Sequence, residues 1–136
     1  TIISQCLNKN KSLTLGSLSP TRDLTYVKDT CDGFIEIYKS KNLLGEATNI
    51  GMNSEISMLD LANTIISYFD FDILIEEDIS RTRPEKSEVN QLVCDNKKIL
   101  KATNWKPSYN LETGIVETIN WFKKTKVSYK TDIYNI

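Results

Sequence analysis

Arg22 and Arg83 stand in polar loops that interrupt an otherwise apolar pattern, each loop lying beyond a segment that reads as a strand. A planar guanidinium donates paired hydrogen bonds to phosphate oxygens, so two of them at one cleft would suit a diphosphate. A third loop, around Gly51, carries Asn49, Asn53 and Glu55, and Glu88 shares the loop of Arg83. Ligands of open α/β folds bind at the carboxyl ends of strands, where three such loops could converge. A single arginine is more often a surface ion-pair partner, so the inference rests on the pair.

Other chemistries are excluded by residue type. The chain has no histidine, which removes the commonest general base and metal ligand and every Ser-His-Asp or Cys-His arrangement. Its five glycines, Gly16, Gly33, Gly45, Gly51 and Gly114, are too dispersed for a dinucleotide fingerprint or a phosphate-cradling loop. Cys6, Cys31 and Cys94 match no zinc or disulfide spacing and read as small buried hydrophobes, and reduced thiols fit a cytoplasmic compartment. Glu76-Glu77-Asp78 reads as a solvated strand edge, with no second carboxylate cluster to complete a metal site. No catalytic residue, cofactor-binding residue or metal ligand is assigned.

The elements that must position these loops alternate between helices and short strands. Thr1 to Leu7 reads as the end of a helix, and Leu13 to Leu15 as a strand ending at Gly16. Val27, Cys31, Phe34, Ile35 and Tyr38 form one face of a helix that Asp29 is expected to cap. Ala47 to Ile50 is expected to be a strand closed by Gly51, and Ser57 with Asp60 opens a helix buried along Leu61, Ala62, Ile65 and Phe69. Asp72 to Glu76 is the strongest strand, and Pro84 breaks regular structure after it. Gln91 to Cys94 reads as a further strand, and Asp95 as the cap of a short helix. Trp105 anchors a turn, and Asn110 opens a last helix with the stripe Leu111, Ile115, Ile119 and Phe122.

At 136 residues, with 40% apolar and 26% charged side chains, the chain is the size of one globular domain. Its 17 basic against 18 acidic residues leave no electrostatic footprint for nucleic acid or an anionic membrane, and no apolar run is long enough to span a bilayer. The first residue is Thr1 rather than Met, which fits a piece of a longer protein.

The order of motifs resembles the extended short-chain dehydrogenases that act on nucleotide sugars. Leu15-Gly16-Ser17 through Thr21-Arg22-Asp23-Leu24-Thr25-Tyr26-Val27-Lys28-Asp29 is similar to a hallmark of that family. Thr48 to Glu55 resembles its Asn-Ile-Gly loop, and Arg83-Pro84 with Ser87-Glu88-Val89 its Arg-Pro loop. Asp95 with Lys98, Trp105-Lys106-Pro107 and Leu111-Glu112-Thr113-Gly114 resemble its carboxyl-terminal signature.

The resemblance implies a small mixed α/β substrate-binding domain over 1–125 and an amino-terminal Rossmann domain absent from this chain; residues 126–136, without a cap or clear period, read as a frayed tail. That absent domain would hold NAD(P) and a Tyr-x-x-x-Lys pair, and no tyrosine here has a lysine four residues on. By position, Arg22 resembles the arginine that contacts the substrate diphosphate and Arg83 its second clamp. Asn53 resembles a ribose or phosphate contact, Leu15, Gly16 and Ser17 the turn along the base, and Glu88 an acceptor for ribose hydroxyls.

The combination looks most like nucleotide-sugar 4,6-dehydratases, which remove a hydride to NAD, expel water and return the hydride. The alternatives are a 4-epimerase of the same family and a non-catalytic nucleotide- or protein-binding module. The chain alone is expected to be inactive and not to bind NAD. A homo-oligomer is expected, as is apolar surface that faces the Rossmann domain in the whole enzyme.

Overall fold

A computed structural model describes residues 1–82, Pro84 and 87–125. Arg83 and the expected tail 126–136 lie outside the described residues. The fold is mixed α/β, as expected, and its backbone contacts gather into two compact units. One comprises Thr1–Pro20, Ser57–Asn90 and Ile115 onward, the other Thr21–Ile56 and Gln91–Gly114.

In the first unit, helix α1 (Ile2–Leu7) packs on strand β1 (Ser12–Leu15) and helix α3 (Met58–Ile66). The buried residues of α1 are Ser4, Gln5 and Cys6 rather than the expected Ile3 and Leu7. The reason is a pair of hydrogen bonds. Gln5 Nε2 donates to the Thr14 carbonyl at 3.2 Å, and the Thr14 amide donates to Gln5 Oε1 at 3.0 Å. Strand β4 (Leu74–Glu77) pairs in parallel with β1, Ser12 opposite Leu74 and Leu15 opposite Glu77, two residues later than the sequence suggests at its start. Ser57 caps α3 as expected, its hydroxyl accepting from the Asp60 amide at 3.0 Å. Leu13, Ala62, Ile65, Ile115 and Ile119 are buried here, the last two from helix α5 (Leu111–Lys124).

In the second unit, strand β2 (Thr21–Arg22) pairs in parallel with β5 (Gln91–Leu92), and β3 (Ile56–Ser57) completes the order β3-β2-β5. Helix α2 (Val27–Lys39) and the short α4 (Lys97–Ala102) accompany them. Three expectations are corrected in this unit. Asp29 does not cap α2. It sits fully buried in the first turn, where its carboxylate accepts from the Ser108 and Tyr109 amides at 2.8 and 3.0 Å. The Trp105 indole, 2% exposed, donates to the Asp29 carbonyl, so this pair fastens the 105–109 turn to α2.

Ala47 to Ile50 is not a strand, because no backbone partner lies beside it among the described residues. Cys31 is exposed and Cys94 half-buried, leaving Cys6 alone as the small buried hydrophobe expected of all three. Cys31 is exposed because the whole stripe of α2 is. Val27 stands at 62%, Phe34 at 64% and Tyr38 at 88% exposure.

Candidate functional site

Asp23 organises the strand ends of the second unit. Its amide donates to the Leu92 carbonyl at 3.0 Å, extending the β2–β5 pairing by one residue. Its carboxylate accepts from two loops, the Met52 amide on one oxygen (2.9 Å) and the Cys94 amide on the other (3.1 Å). A carboxylate with two backbone donors is fully engaged and fixes both donors in place. Gly51 makes this close approach feasible. A Cβ there would fall 2.3 Å from that of Cys94, and the Gly51 carbonyl accepts from Nδ2 of the buried Asn96 side chain at 2.8 Å. The next turn brings Asn53 into the left-handed region at φ +55, a conformation that asparagine tolerates better than most residues.

Beside this junction lies a hollow of about 170 Å³ lined by Arg22, Leu24, Met52, Glu55, Asn110 and Leu111, with Ser54 and Ile56. Glu55 is held from both sides. The Thr21 hydroxyl donates to one carboxylate oxygen, and Gln91 Nε2 donates to the other at 2.7 Å. Arg22 is half-buried and donates from Nη1 to the Thr21 carbonyl at 2.7 Å. The far wall comes from the start of α5. The Asn110 side chain accepts from the Thr113 amide at 2.8 Å, capping the helix, while Gly114 backs onto Tyr26, whose ring packs against that of Tyr109 at 4.5 Å and a tilt of 50°.

A guanidinium, a fixed carboxylate and four apolar side chains can hold a ligand with an anionic group, a hydroxyl donor and an apolar face. The volume is below the usual range for a complete small-molecule site, so it has room for only part of a larger ligand.

The expected site residues fall as follows. Arg22 lines this hollow, and Asn53 sits between two residues that do, Met52 and Ser54. Leu15, Gly16, Ser17 and Glu88 belong to the other unit. There Gly16 lies against the turn Ile79–Arg81, where a Cβ would meet the Arg81 carbonyl at 2.6 Å. That turn is tied to β1 by Arg81 Nη1 donating to the Thr14 carbonyl at 3.0 Å and by the Asp78 amide donating to that of Leu15 at 2.7 Å. Arg83 lies outside the described residues. Glu55, Asn110 and Leu111 were not assigned to binding from sequence. Glu55 was visible as a flank of Gly51, but its partners are 34 and 36 residues away, beyond any local pattern.

A larger, open hollow of about 450 Å³ lies elsewhere in the same unit, among Lys39, Ser40, Lys41, Lys101 and Thr103. None of the sequence motifs faces it, and Lys39 is already paired with Glu36 at 2.9 Å.

Neither nucleophilic nor metal chemistry is built here. Burial pushes the Cys94 thiol above its ordinary value, with the carboxylates of Asp23 and Asp95 adding to the effect, so the reactive thiolate is disfavoured. Among the described residues no three His, Cys, Asp or Glu side chains gather as metal ligands, and no helix is long and apolar enough to cross a membrane. Gly16, Gly33, Gly51 and Gly114 each lie against the protein's own atoms, where an added Cβ would meet them.

The family model for GDP-mannose 4,6 dehydratase matches residues 1–118. The dTDP-D-glucose 4,6-dehydratase of Homo sapiens is 28% identical over 136 residues, covering 94% of this chain and 37% of the human protein. The dTDP-glucose 4,6-dehydratase of Bacillus anthracis, solved with NAD, superposes with a TM-score of 0.74 at 26% identity, over 92% of this chain and 38% of that one. The UDP-glucuronic acid 4-epimerase of Bacillus cereus, solved with UDP-glucuronic acid and NAD, superposes at 0.72 with 28% identity, over 90% and 38%. The chain spans about a third of the length of the curated relatives it matches. With motifs, fold and family model in agreement over most of its length, the chain belongs to the GDP-mannose 4,6-dehydratase family, among the nucleotide-sugar dehydratases and epimerases of the extended short-chain dehydrogenase type.

Proposed function

We propose that this chain is the substrate-gripping part of an NAD-dependent nucleotide-sugar 4,6-dehydratase. The observation that carries the proposal is the hollow at the β2 end, where Arg22 and the doubly held Glu55 meet apolar walls. Arg22 would pair with a phosphoryl oxygen of the nucleotide diphosphate, and Glu55 would accept from a sugar or ribose hydroxyl. The family resemblance also implies binding roles for Arg83, Glu88, Leu15, Gly16 and Ser17. Binding energy of this kind orients the sugar for chemistry performed by groups outside these 136 residues. Hydride transfer belongs to NAD held by the Rossmann part of the family enzymes, and no step of it runs through the residues described.

A 4-epimerase reading is supported by the likeness to the Bacillus cereus enzyme. Both readings share the diphosphate grip and differ in what the remainder of the enzyme does to the sugar.

Calorimetric titration of the chain with dTDP-glucose, UDP-glucuronic acid and GDP-mannose tests the grip. Binding of at least one is expected, and Arg22→Ala should weaken it about tenfold or more, the scale of a lost charge-assisted hydrogen bond. Equal affinity in wild type and Arg22→Ala would refute the proposal.

A further inference from the structure

The loop from Gly51 to Glu55 is fastened at both ends and by nothing in between. At one end the Gly51 carbonyl accepts from Asn96 Nδ2 at 2.8 Å, and the Met52 amide donates to Asp23 Oδ1 at 2.9 Å. At the other the Glu55 carboxylate accepts from the Thr21 hydroxyl and from Gln91 Nε2. Thr21 and Gln91 stand opposite each other in the parallel β2–β5 pair, so their side chains leave one face of the sheet and converge on that carboxylate. Asn53 and Ser54 alone carry the chain from one set of pins to the other.

No local bond holds this bridge in shape. Among the described residues neither Asn53 nor Ser54 makes a hydrogen bond, through main chain or side chain, and both are exposed. The chain turns here because Asn53 takes φ +55; among described non-glycine residues only Lys9, just past α1, does the same. In the left-handed region a Cβ crowds the following carbonyl oxygen. Glycine escapes that penalty, asparagine bears it better than most residues, and alanine and valine bear it poorly.

The family resemblance assigns Asn53 a ribose or phosphate contact. The geometry points to a different role: Asn53 is a positioning residue that acts through its backbone, and its side-chain amide is dispensable. Its left-handed turn sets the span between Met52 and Glu55, which line the hollow together with Arg22. With Met52 pinned to Asp23, that span decides where the Glu55 carboxylate meets Thr21 and Gln91. Tolerance at position 53 therefore follows backbone freedom, with glycine equal to asparagine, alanine below them and the β-branched valine lowest. This inference rests on the proposed grip for its consequence to binding, but not for the role of the turn.

Asn53→Gly, Asn53→Ala and Asn53→Val are compared with wild type in two measurements, with circular dichroism showing each variant folded at the working temperature. The first is hydrogen exchange of the Met52 amide in the ligand-free chain. Asn53→Ala should speed it about tenfold, the scale of the left-handed penalty, Asn53→Val should speed it further, and Asn53→Gly should stay within about twofold of wild type. The second is calorimetric titration with dTDP-glucose, UDP-glucuronic acid and GDP-mannose. Affinity should fall about tenfold in Asn53→Ala, and glycine should restore what alanine loses, a rescue that a side-chain contact does not allow.

Asn53→Gly that binds as weakly as Asn53→Ala would overturn the inference, because the amide would then be the contact. So would Asn53→Ala with the exchange and affinity of wild type, since the turn would then need no special residue. A wild-type chain that binds none of the three ligands while the exchange order holds would refute the grip and uphold the turn. A flat exchange series would refute the turn whatever the hollow binds.

Discussion

Helices α2 and α5 carry apolar stripes of equal clarity, and the structure treats them oppositely. In α5, Ile115 and Ile119 are buried to 7% and 3% exposure. In α2, Val27, Phe34 and Tyr38 remain more than half exposed. Periodicity records that a face is to be covered and is silent about what covers it. For α5 the cover lies within the chain. For α2 no cover lies among the described residues.

The sharpest way to break this contrast is truncation on each stripe. Ile119→Ala should destabilise the chain by about 2–5 kcal/mol, the range for a buried aliphatic side chain cut to alanine. Phe34→Ala should shift stability by no more than about 0.5 kcal/mol, as expected for an exposed site. Urea unfolding of the two variants decides it, and equal losses would mean that α2 already has a cover in the isolated chain.

A comparable effect is expected at the strand ends of the same unit, where Asp23 holds two loops. Asp23→Ala would orphan the amides of Met52 and Cys94, at about 1–3 kcal/mol each if they find no water. It would also loosen the loop that presents Glu55, so nucleotide-sugar affinity should fall together with stability. Arg22→Ala, by contrast, should lower affinity with little change in stability. Unfolding and calorimetry on the same two variants separate the roles, and a stable Asp23→Ala with full affinity would show that the carboxylate is dispensable.

Much of this arrangement is legible in the sequence, and what is not has a physical cause. The Ser57 and Asn110 caps were readable because the capping side chain and its amide lie within three residues of each other. Asp29 was misread as a cap for the converse reason, since its true partners, the Ser108 and Tyr109 amides, are 79 and 80 residues away. Arg22 could be nominated from its loop and the family motif. Glu55 could not be assigned, because what makes it part of a site is its clasp by Thr21 and Gln91 across a sheet. Ala47–Ile50 shows the remaining limit. Strand propensity is a statement about fit to a sheet, and without a neighbouring strand it leaves no ladder.

Thiol chemistry gives a finer measure of the same division. At pH 8, Cys31 on the uncovered stripe should react with iodoacetamide ahead of Cys94 and Cys6, whose thiols burial pushes above the ordinary value. Mass spectrometry of the partly labelled chain reads the order. If Cys94 reacted first, the tight packing of Gly51 against it would have to open readily.

The smallest expected effect concerns the turn that secures β1 beside the Leu15–Ser17 segment. Asp78 accepts from the Ser80 hydroxyl at 2.6 Å and the Ser80 amide at 2.9 Å, and pairs with Arg81 Nε at 3.2 Å. The Ser80 bonds, with Arg81 adding to them, hold its carboxyl below the usual carboxylate value. A carboxyl depressed in the folded state stabilises it at pH values above the unfolded value, about 3.9, and that contribution disappears as pH falls through the lower folded value. Asp78→Asn should therefore lower the urea midpoint slightly at pH 7, and the gap from wild type should narrow as the pH drops below about 4. A gap that stayed constant over that interval would mean that hydrogen-bond geometry lost in the variant at every pH alike matters to this turn and the charge does not.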